Sequence, residues 1–292
     1  MKNKRLTETD FNNIVAERFL YKRLQLLALN MFEYEGLEDL NIEERHIERF
    51  LFDHGKCIWF EDKTDGLMCL EGEGTGKRNV MNDPLEYRVT GFGYSKIIKA
   101  KDCVVMENNK LRMPTRDIVS YFTNQLYEVT RTRDVNVKTL KLPFIIGTTD
   151  KELLTAKKII EEIDSNNFAI FSDKKAVDLD SLVKVLPTNV KCYTAELTDL
   201  YHDILNEALT YLGINNANTD KKERLITSEA NANNQLIESS ANLFLEARER
   251  ACDLINKKFG TNISVKLRNE EVLYAMEPTT EPDTTQQQPG NE

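Results

Sequence analysis

The sequence predicts an α+β chain with its helices and strands segregated, and three observations carry that reading. Amphipathic stretches spaced at three and four residues occupy separate blocks. A series of short alternating runs, bounded by Gly, Asp and Asn, fills residues 55–112. Of the 292 residues, 40% are hydrophobic and 30% charged, an ordinary soluble profile that excludes wholesale disorder, a collagen-like repeat and a disulfide scaffold. At ~100–200 residues per domain, the length suggests one large or two ordinary domains.

The first helix is expected from Asp10 to about Tyr34, where Phe11, Ile14, Val15, Phe19, Leu24, Leu27, Met31 and Phe32 recur at helical spacing. A short helical stretch near Asn41 to Leu51 follows. The texture then changes to strands such as Lys56-Cys-Ile-Trp-Phe60, Gly66-Leu-Met-Cys-Leu70, Tyr87-Arg-Val-Thr90 and Cys103-Val-Val-Met106, forming a small β-rich subdomain. Pro114 opens a second helix, because its missing N–H costs nothing there, and Ile118, Phe122, Leu126 and Val129 mark its apolar face.

An α/β insertion is expected from Leu142 to Val190. It contains Pro143-Phe-Ile-Ile146 as a strand, Thr149-Asp-Lys-Glu152 as a capping box, and Phe168-Ala-Ile-Phe171 as a further strand. A third helix runs from about Thr194 to Leu212 and stops at Gly213. The polar stretch from Asn215 to Leu236 lacks a long apolar stripe and reads as a loop, which at that length is functional or disordered. A fourth helix is expected from roughly Glu238 to Phe259, then a closing strand, Ile263-Ser-Val-Lys-Leu267. The last residues have the Pro, Thr, Gln and Glu composition of a disordered tail.

The net charge of -9 argues against a simple DNA-coating protein, which neutralises phosphates with surplus Lys and Arg. No run approaches the ~18–20 apolar residues of a membrane span, and the N-terminus lacks the apolar stretch of a secretory signal, so a cytoplasm-like compartment without a membrane partner is expected. Cys57, Cys69, Cys103, Cys192 and Cys252 are scattered, with no C-x-x-C pair, and read as buried or partly buried free thiols.

Chemical motifs are sparse. Gly72-Glu-Gly-Thr-Gly-Lys77 suggests a phosphate cradle, but Glu71 occupies the first Gly position of a Walker A loop, Arg78 replaces its hydroxyl residue, and strands flank it. A β-turn is the better reading. His46, His54 and His202 form no metal-ligand spacing, so neither a metal, a cofactor nor a catalytic residue is expected, and the chain reads as a non-enzyme. Two weak basic features remain. Lys2, Lys4 and Arg5 form a cationic N-terminus that could dock nucleic acid or a motor, and Lys221-Lys-Glu-Arg224 lies in the polar loop, balanced there by Asp220, Glu223 and Glu229.

The stretch from Tyr211 to Arg268 carries a more specific signal. Its LGI-NAN turn, KKER, T-x-E segment, Asn234-Gln-Leu-Ile-Glu-Ser-Ser240, FL-x-x-R-E-x-AC-x-x-IN helix from Phe244 to Asn256 and V-K-x-R ending occur in order over some sixty residues. In these features the chain closely resembles the upper collar proteins, also called head-tail connectors or portal proteins, of Picovirinae-type short-tailed phages. Weaker similarity includes Met31-Phe-Glu-Tyr-Glu35, Gly74-Thr-Gly-Lys-Arg-Asn-Val80 and Met113-Pro-Thr115, so that it covers nearly everything but the tail.

The resemblance implies a portal fold, with a helical channel wall or stem, a wing of helices and a β-rich SH3-like part, and a small α/β clip. Residues 1–113 would form the N-terminal part of the wing, 114–141 the first channel helix, 142–193 the clip and 194–213 the second channel helix. Residues 214–237 would form a channel loop, 238–275 the C-terminal wing or crown, and 276–292 a disordered acidic tail. It further implies a homododecamer at one capsid vertex of the virion, a conduit for double-stranded DNA during packaging and ejection. Its partners would be the major capsid protein and scaffold, a lower collar or tail protein, and a packaging ATPase. A packaging RNA cannot be inferred, because the N-terminal basic segment is shorter than in members that dock one.

In this family the loop projects into the channel. Asn216, Asn218, Lys221, Lys222, Arg224, Asn231, Asn233 and Asn234 would therefore face DNA, with Lys221 and Lys222 on the KKER positions. The family carries further lysines near the second channel helix, where counting back from the LGI turn finds Pro187 and Glu196. Lys184 and Lys191 are nearby cations rather than matches. Two other readings stay open: a nucleotide-dependent enzyme using Gly72 to Lys77, and a monomeric nucleic-acid-binding module using Lys2, Lys4 and Arg5.

Six acids and no Lys or Arg follow Arg268, which leaves only -3 for the first 268 residues. A near-neutral folded body suits a pore that DNA passes without sticking.

Overall fold

The computed structural model describes residues 8–40, 42–141, 144–147, 184–187, 191–216 and 227–268. Its elements run α1 (Glu8–Leu29), β1 (Phe32–Glu35), α2 (Glu44–His54), β2 (Lys56–Asp62), β3 (Gly66–Arg78), β4 (Pro84–Gly91), β5 (Tyr94–Lys99) and β6 (Cys103–Glu107). Then follow α3 (Thr115–Lys141), β7 (Phe144–Gly147), β8 (Lys184–Pro187), α4 (Thr194–Leu212), α5 (Thr227–Phe259) and β9 (Ser264–Leu267). Helices and strands are segregated, as an α+β chain requires. Two compact units result: Met1–Leu20 with Tyr121–Glu207, and Tyr21–Ser120 with Ala208–Glu292.

The second unit is built on an antiparallel sheet of order β5-β4-β3-β2-β6. Strand β2, between β3 and β6, is buried from Cys57 to Phe60, so its alternate side chains fill both faces of the sheet. On one face Ile58 and Phe60 join Tyr87, Val89, Ile98 and Cys103. Helix α5 packs beside β6, and β1 pairs with β9 at the Phe32–Leu267 register, tying the two ends of this unit together.

Arg248 of α5 is the polar centre of the unit, although a guanidinium is rarely buried without a partner. Its Nε and Nη2 donate to Glu48 Oε1 and Oε2 of α2, both at 2.8 Å. Nη2 also donates to Asn108 Oδ1 at 3.0 Å, Nη1 donates to the Phe244 carbonyl at 3.0 Å, and the guanidinium lies 4.0 Å from the Phe32 ring centre. The Tyr34 hydroxyl donates to Glu48 Oε1 at 2.7 Å. Burial opposes the charge on Arg248, but the Glu48 carboxylate outweighs it and leaves the guanidinium above its ordinary pKa. One side chain thus fixes α5 against α2, β1 and the end of β6.

In the first unit β7 pairs antiparallel with β8, Gly147 opposite Lys184. The side chain of Asn136 on α3 accepts from the Tyr193 N–H at 3.0 Å and donates to the Lys191 carbonyl at 2.9 Å, holding the entry to α4.

Several expected boundaries move. α1 ends at Leu29, and residues expected as its last turn form β1, because Phe32 and Tyr34 alternate into the core opposite β9. Residues 72–77 lie inside β3, with Gly72 opposite Val89 and Gly74 opposite Tyr87 and a register shift between Thr75 and Arg78, so they form strand where a β-turn was expected. α5 begins at Thr227, eleven residues before Glu238, so part of the expected loop is helix. The capping box 149–152, the strand 168–171 and the tail 276–292 lie outside the described residues.

Candidate nucleic-acid interface

Two local structures hold the base of the predicted channel loop. At the end of α4, Gly213 adopts φ +77°, its N–H donates to the Thr210 carbonyl at 3.0 Å and the Ile214 N–H reaches the Leu209 carbonyl at 2.9 Å. This is a Schellman stop, which needs a residue at ease in the left-handed region. Glycine is required for a second reason: a Cβ at position 213 would lie 2.5 Å from the Ala241 Cα of α5. The backbones of α4 and α5 therefore touch at this point. Ile214 and Ile237 are buried beside it.

Asparagines close the base above that contact. Asn216 Nδ2 donates to the Thr210 hydroxyl at 2.8 Å, and Asn233 Nδ2 donates to Asn216 Oδ1 at 2.8 Å. The two sides of segment 217–226 are thus pinned before it begins and after it ends. Ile237, Ala241, Phe244 and Arg248 occupy one face of α5, so the helix that carries Asn233 is oriented by the Arg248–Glu48 pair.

The predicted residues divide accordingly. Asn216 and Asn233 are brought together, and Asn234 is exposed on α5, the helix that also contains Asn231. Asn231, Asn233 and Asn234 are helical, where a loop was expected. Lys191 is exposed just before α4, and Lys184 opens β8, both in the first unit. Lys2, Lys4, Arg5, Asn218, Lys221, Lys222 and Arg224 lie outside the described residues.

One feature was missed. Glu196, Asp199, Asp203 and Glu207 are all exposed on α4 at spacings of three, four and four, which puts them on a single stripe, and α4 contains no Lys or Arg. The three- and four-residue spacing of these acids is legible in the sequence. Such a stripe repels phosphate along some three helical turns.

Residues 4–272 match the model of the Phage Connector (GP10) family. The chain belongs to the phage connector family. The connector is 24% identical over 161 residues to the portal protein of Staphylococcus phage 44AHJD, an alignment spanning 55% of this chain and 64% of that protein, less than two thirds of its length. Among solved structures it is similar to a chain of the portal and tail of native bacteriophage P68, with TM-score 0.48 and 17% identity, covering 96% of this chain and 94% of that one. It is also similar to an HK97 family phage portal protein from Corynebacterium diphtheriae, with TM-score 0.48 and 12% identity, over 94% of this chain and 99% of the other.

Proposed function

We propose that this connector assembles as a dodecameric ring at one capsid vertex and conducts double-stranded DNA into the head and out of it. The family match over residues 4–272 carries the reading. Tail protein and packaging motor attach to the ring in the virion, and the motor supplies the energy, so that the connector itself is a structural conduit and no enzyme. The sequence 72–77 lends no support to nucleotide binding, since its ladder with β4 differs from the loop before a helix that cradles phosphates.

Charge suits passage. Ring symmetry multiplies the acidic stripe of α4 into a wall that discourages adhesion, while Lys221 and Lys222 multiply into a contact that a single copy lacks. In this reading segment 217–226 checks backward slippage of packaged DNA, and the Asn216–Asn233 clamp with the Gly213–Ala241 contact resists the recoil.

The test separates assembly from retention. Negative-stain images of the purified protein should show twelve-fold rings with a central hole, and monodisperse monomers at every concentration would refute the assembly. Replacing 217–226 by Gly and Ser of equal length, with both anchors intact, should leave rings that assemble and package but lose DNA. Full retention would sink the role given to the loop.

A further inference from the structure

The turn joining β3 to β4 is closed by polar residues. Asn82 N–H donates to the Asn79 carbonyl at 3.0 Å, Asp83 N–H to Asn79 Oδ1 at 2.8 Å, and Asn82 takes φ +66°. Those residues are what such a turn asks for. Its two central residues are not: Val80 is fully exposed and Met81 is 80% exposed. An apolar pair at the most solvated place of a hairpin, where the local fold needs neither, points to a partner that covers it.

The same unit holds a cleft of about 920 Å³ between α2, the start of β3 and the β4–β5 turn. Phe50, Leu67, Leu70 and the fully exposed Phe92 supply its apolar wall. Asp53, Asp65 and Glu71 line it as well; Asp53 lies 3.7 Å from the Arg49 guanidinium and Glu71 lies 2.7 Å from His54 Nε2, and the acids still outnumber the guanidinium. The hairpin has the opposite sign, because exposed Lys77 and Arg78 precede its tip and only Asp83 follows it within the turn. Apolar tip and apolar-walled cleft therefore carry net charges of opposite sign.

A chain cannot fill its own cleft. Leu70 and Val80 are ten residues apart on one extended strand and its turn, roughly 30 Å at ~3.3 Å per residue. From these observations, and resting on the ring reading above, we infer that the β3–β4 hairpin tip of one copy seats Val80 and Met81 in the α2–β3 cleft of the next. Donor and acceptor are different patches, so the contact is head-to-tail, the type that closes into rings when its rotation permits. β3 then sets the spacing between neighbouring cleft and tip.

The test uses the full chain with Cys192→Ser, so that its exposed native thiol does not compete. Met81→Cys and Leu70→Cys are introduced together, and a short bis-maleimide is added at ring-forming concentration. Denaturing gels should show a ladder of linked subunits that either single variant lacks. Rings by negative stain without a ladder overturn the contact and leave the ring reading intact. A ladder from open chains without rings supports the contact and overturns the ring. Monomers without a ladder overturn both. In parallel, Met81→Asp, at a site with no role in the core, should weaken self-association at least about tenfold while leaving the unfolding midpoint of dilute protein unchanged; unaltered association would overturn the inference.

Discussion

Replacing Arg248 by Met tests whether a single buried ion pair orients the helix that carries Asn233. The substitution keeps an unbranched apolar stem but leaves the Glu48 carboxylate, 3% exposed, with the Tyr34 hydroxyl as its remaining donor among the described residues. It also removes the donors that serve Asn108 Oδ1 and the Phe244 carbonyl. Breaking a buried pair from one side typically costs about 3–5 kcal/mol, a large share of the ~5–15 kcal/mol that holds a domain together. About 4 kcal/mol corresponds to roughly a thousandfold change in the folding equilibrium. Glu48→Leu should cost a similar amount, because it strands the guanidinium. The double variant should fall short of the sum of the two by at least ~2 kcal/mol, since neither charge is then left alone. Urea unfolding at one fixed protein concentration measures all three, the fixed concentration being needed because association shifts the midpoint. Additivity within ~0.5 kcal/mol, or a single variant costing under ~1 kcal/mol, would refute the pairing as the element that holds α5.

Other consequences follow from particular side chains. Gly213→Ala should destabilise by about 2–5 kcal/mol from its left-handed backbone and its clash with Ala241, and hydrogen exchange should show the loss concentrated where α4 meets α5. The Asp62 carboxyl is held well below its ordinary value by the Lys96 ammonium first, then by the Thr64 N–H and the Tyr94 hydroxyl. Its folded pKa lies below the unfolded value, so its stabilisation is present above about pH 4 and fades as pH falls below that. Asp62→Asn should flatten the acid limb of the unfolding midpoint. Tyr94, pushed up to about 12 by burial and then by Asp62, has the opposite sign: its contribution fades as pH rises from about 10 to 12, and Tyr94→Phe should flatten that limb. Among the thiols, Cys192 is exposed and lowered by its hydrogen bonding with Thr194, whereas burial pushes Cys103 up to about 11 and Cys252 up to about 12. Ellman's reagent should titrate one thiol quickly in native protein and five after unfolding, and Cys192→Ser should abolish the fast one.

Much of this architecture was legible because it rests on local rules. The stop at Gly213 follows from a helical stripe meeting a residue that tolerates positive φ, and the strands between 56 and 106 follow from alternation bounded by turn formers. Periodicity misled where a segment lacked an apolar face or carried the wrong one. The start of α5, residues 227–236, has good helix formers in Glu, Ala and Gln but Leu236 as its one large apolar residue, so no apolar stripe marks it as helix. Phe32 and Tyr34 fit a helical stripe and equally a strand, and pairing with β9 more than two hundred residues away decided between them. The clamp between Asn216 and Asn233 was not legible. Asn216 and Asn233 are seventeen residues apart, and nothing in their spacing announces a hydrogen bond.

The sequence by itself determined most of the elements, the sharp end of α4 and the family, because these depend on neighbours within a few turns or on residue order alone. The tertiary structure decided which distant groups share a desolvated space. Only folding puts Glu48 against Arg248, two hundred residues on, and Gly213 against Ala241. It also leaves Val80 and Met81 at a tip that their own chain cannot cover. A buried charge or a bare backbone contact is stable only with its partner in place, and that partner is chosen in three dimensions.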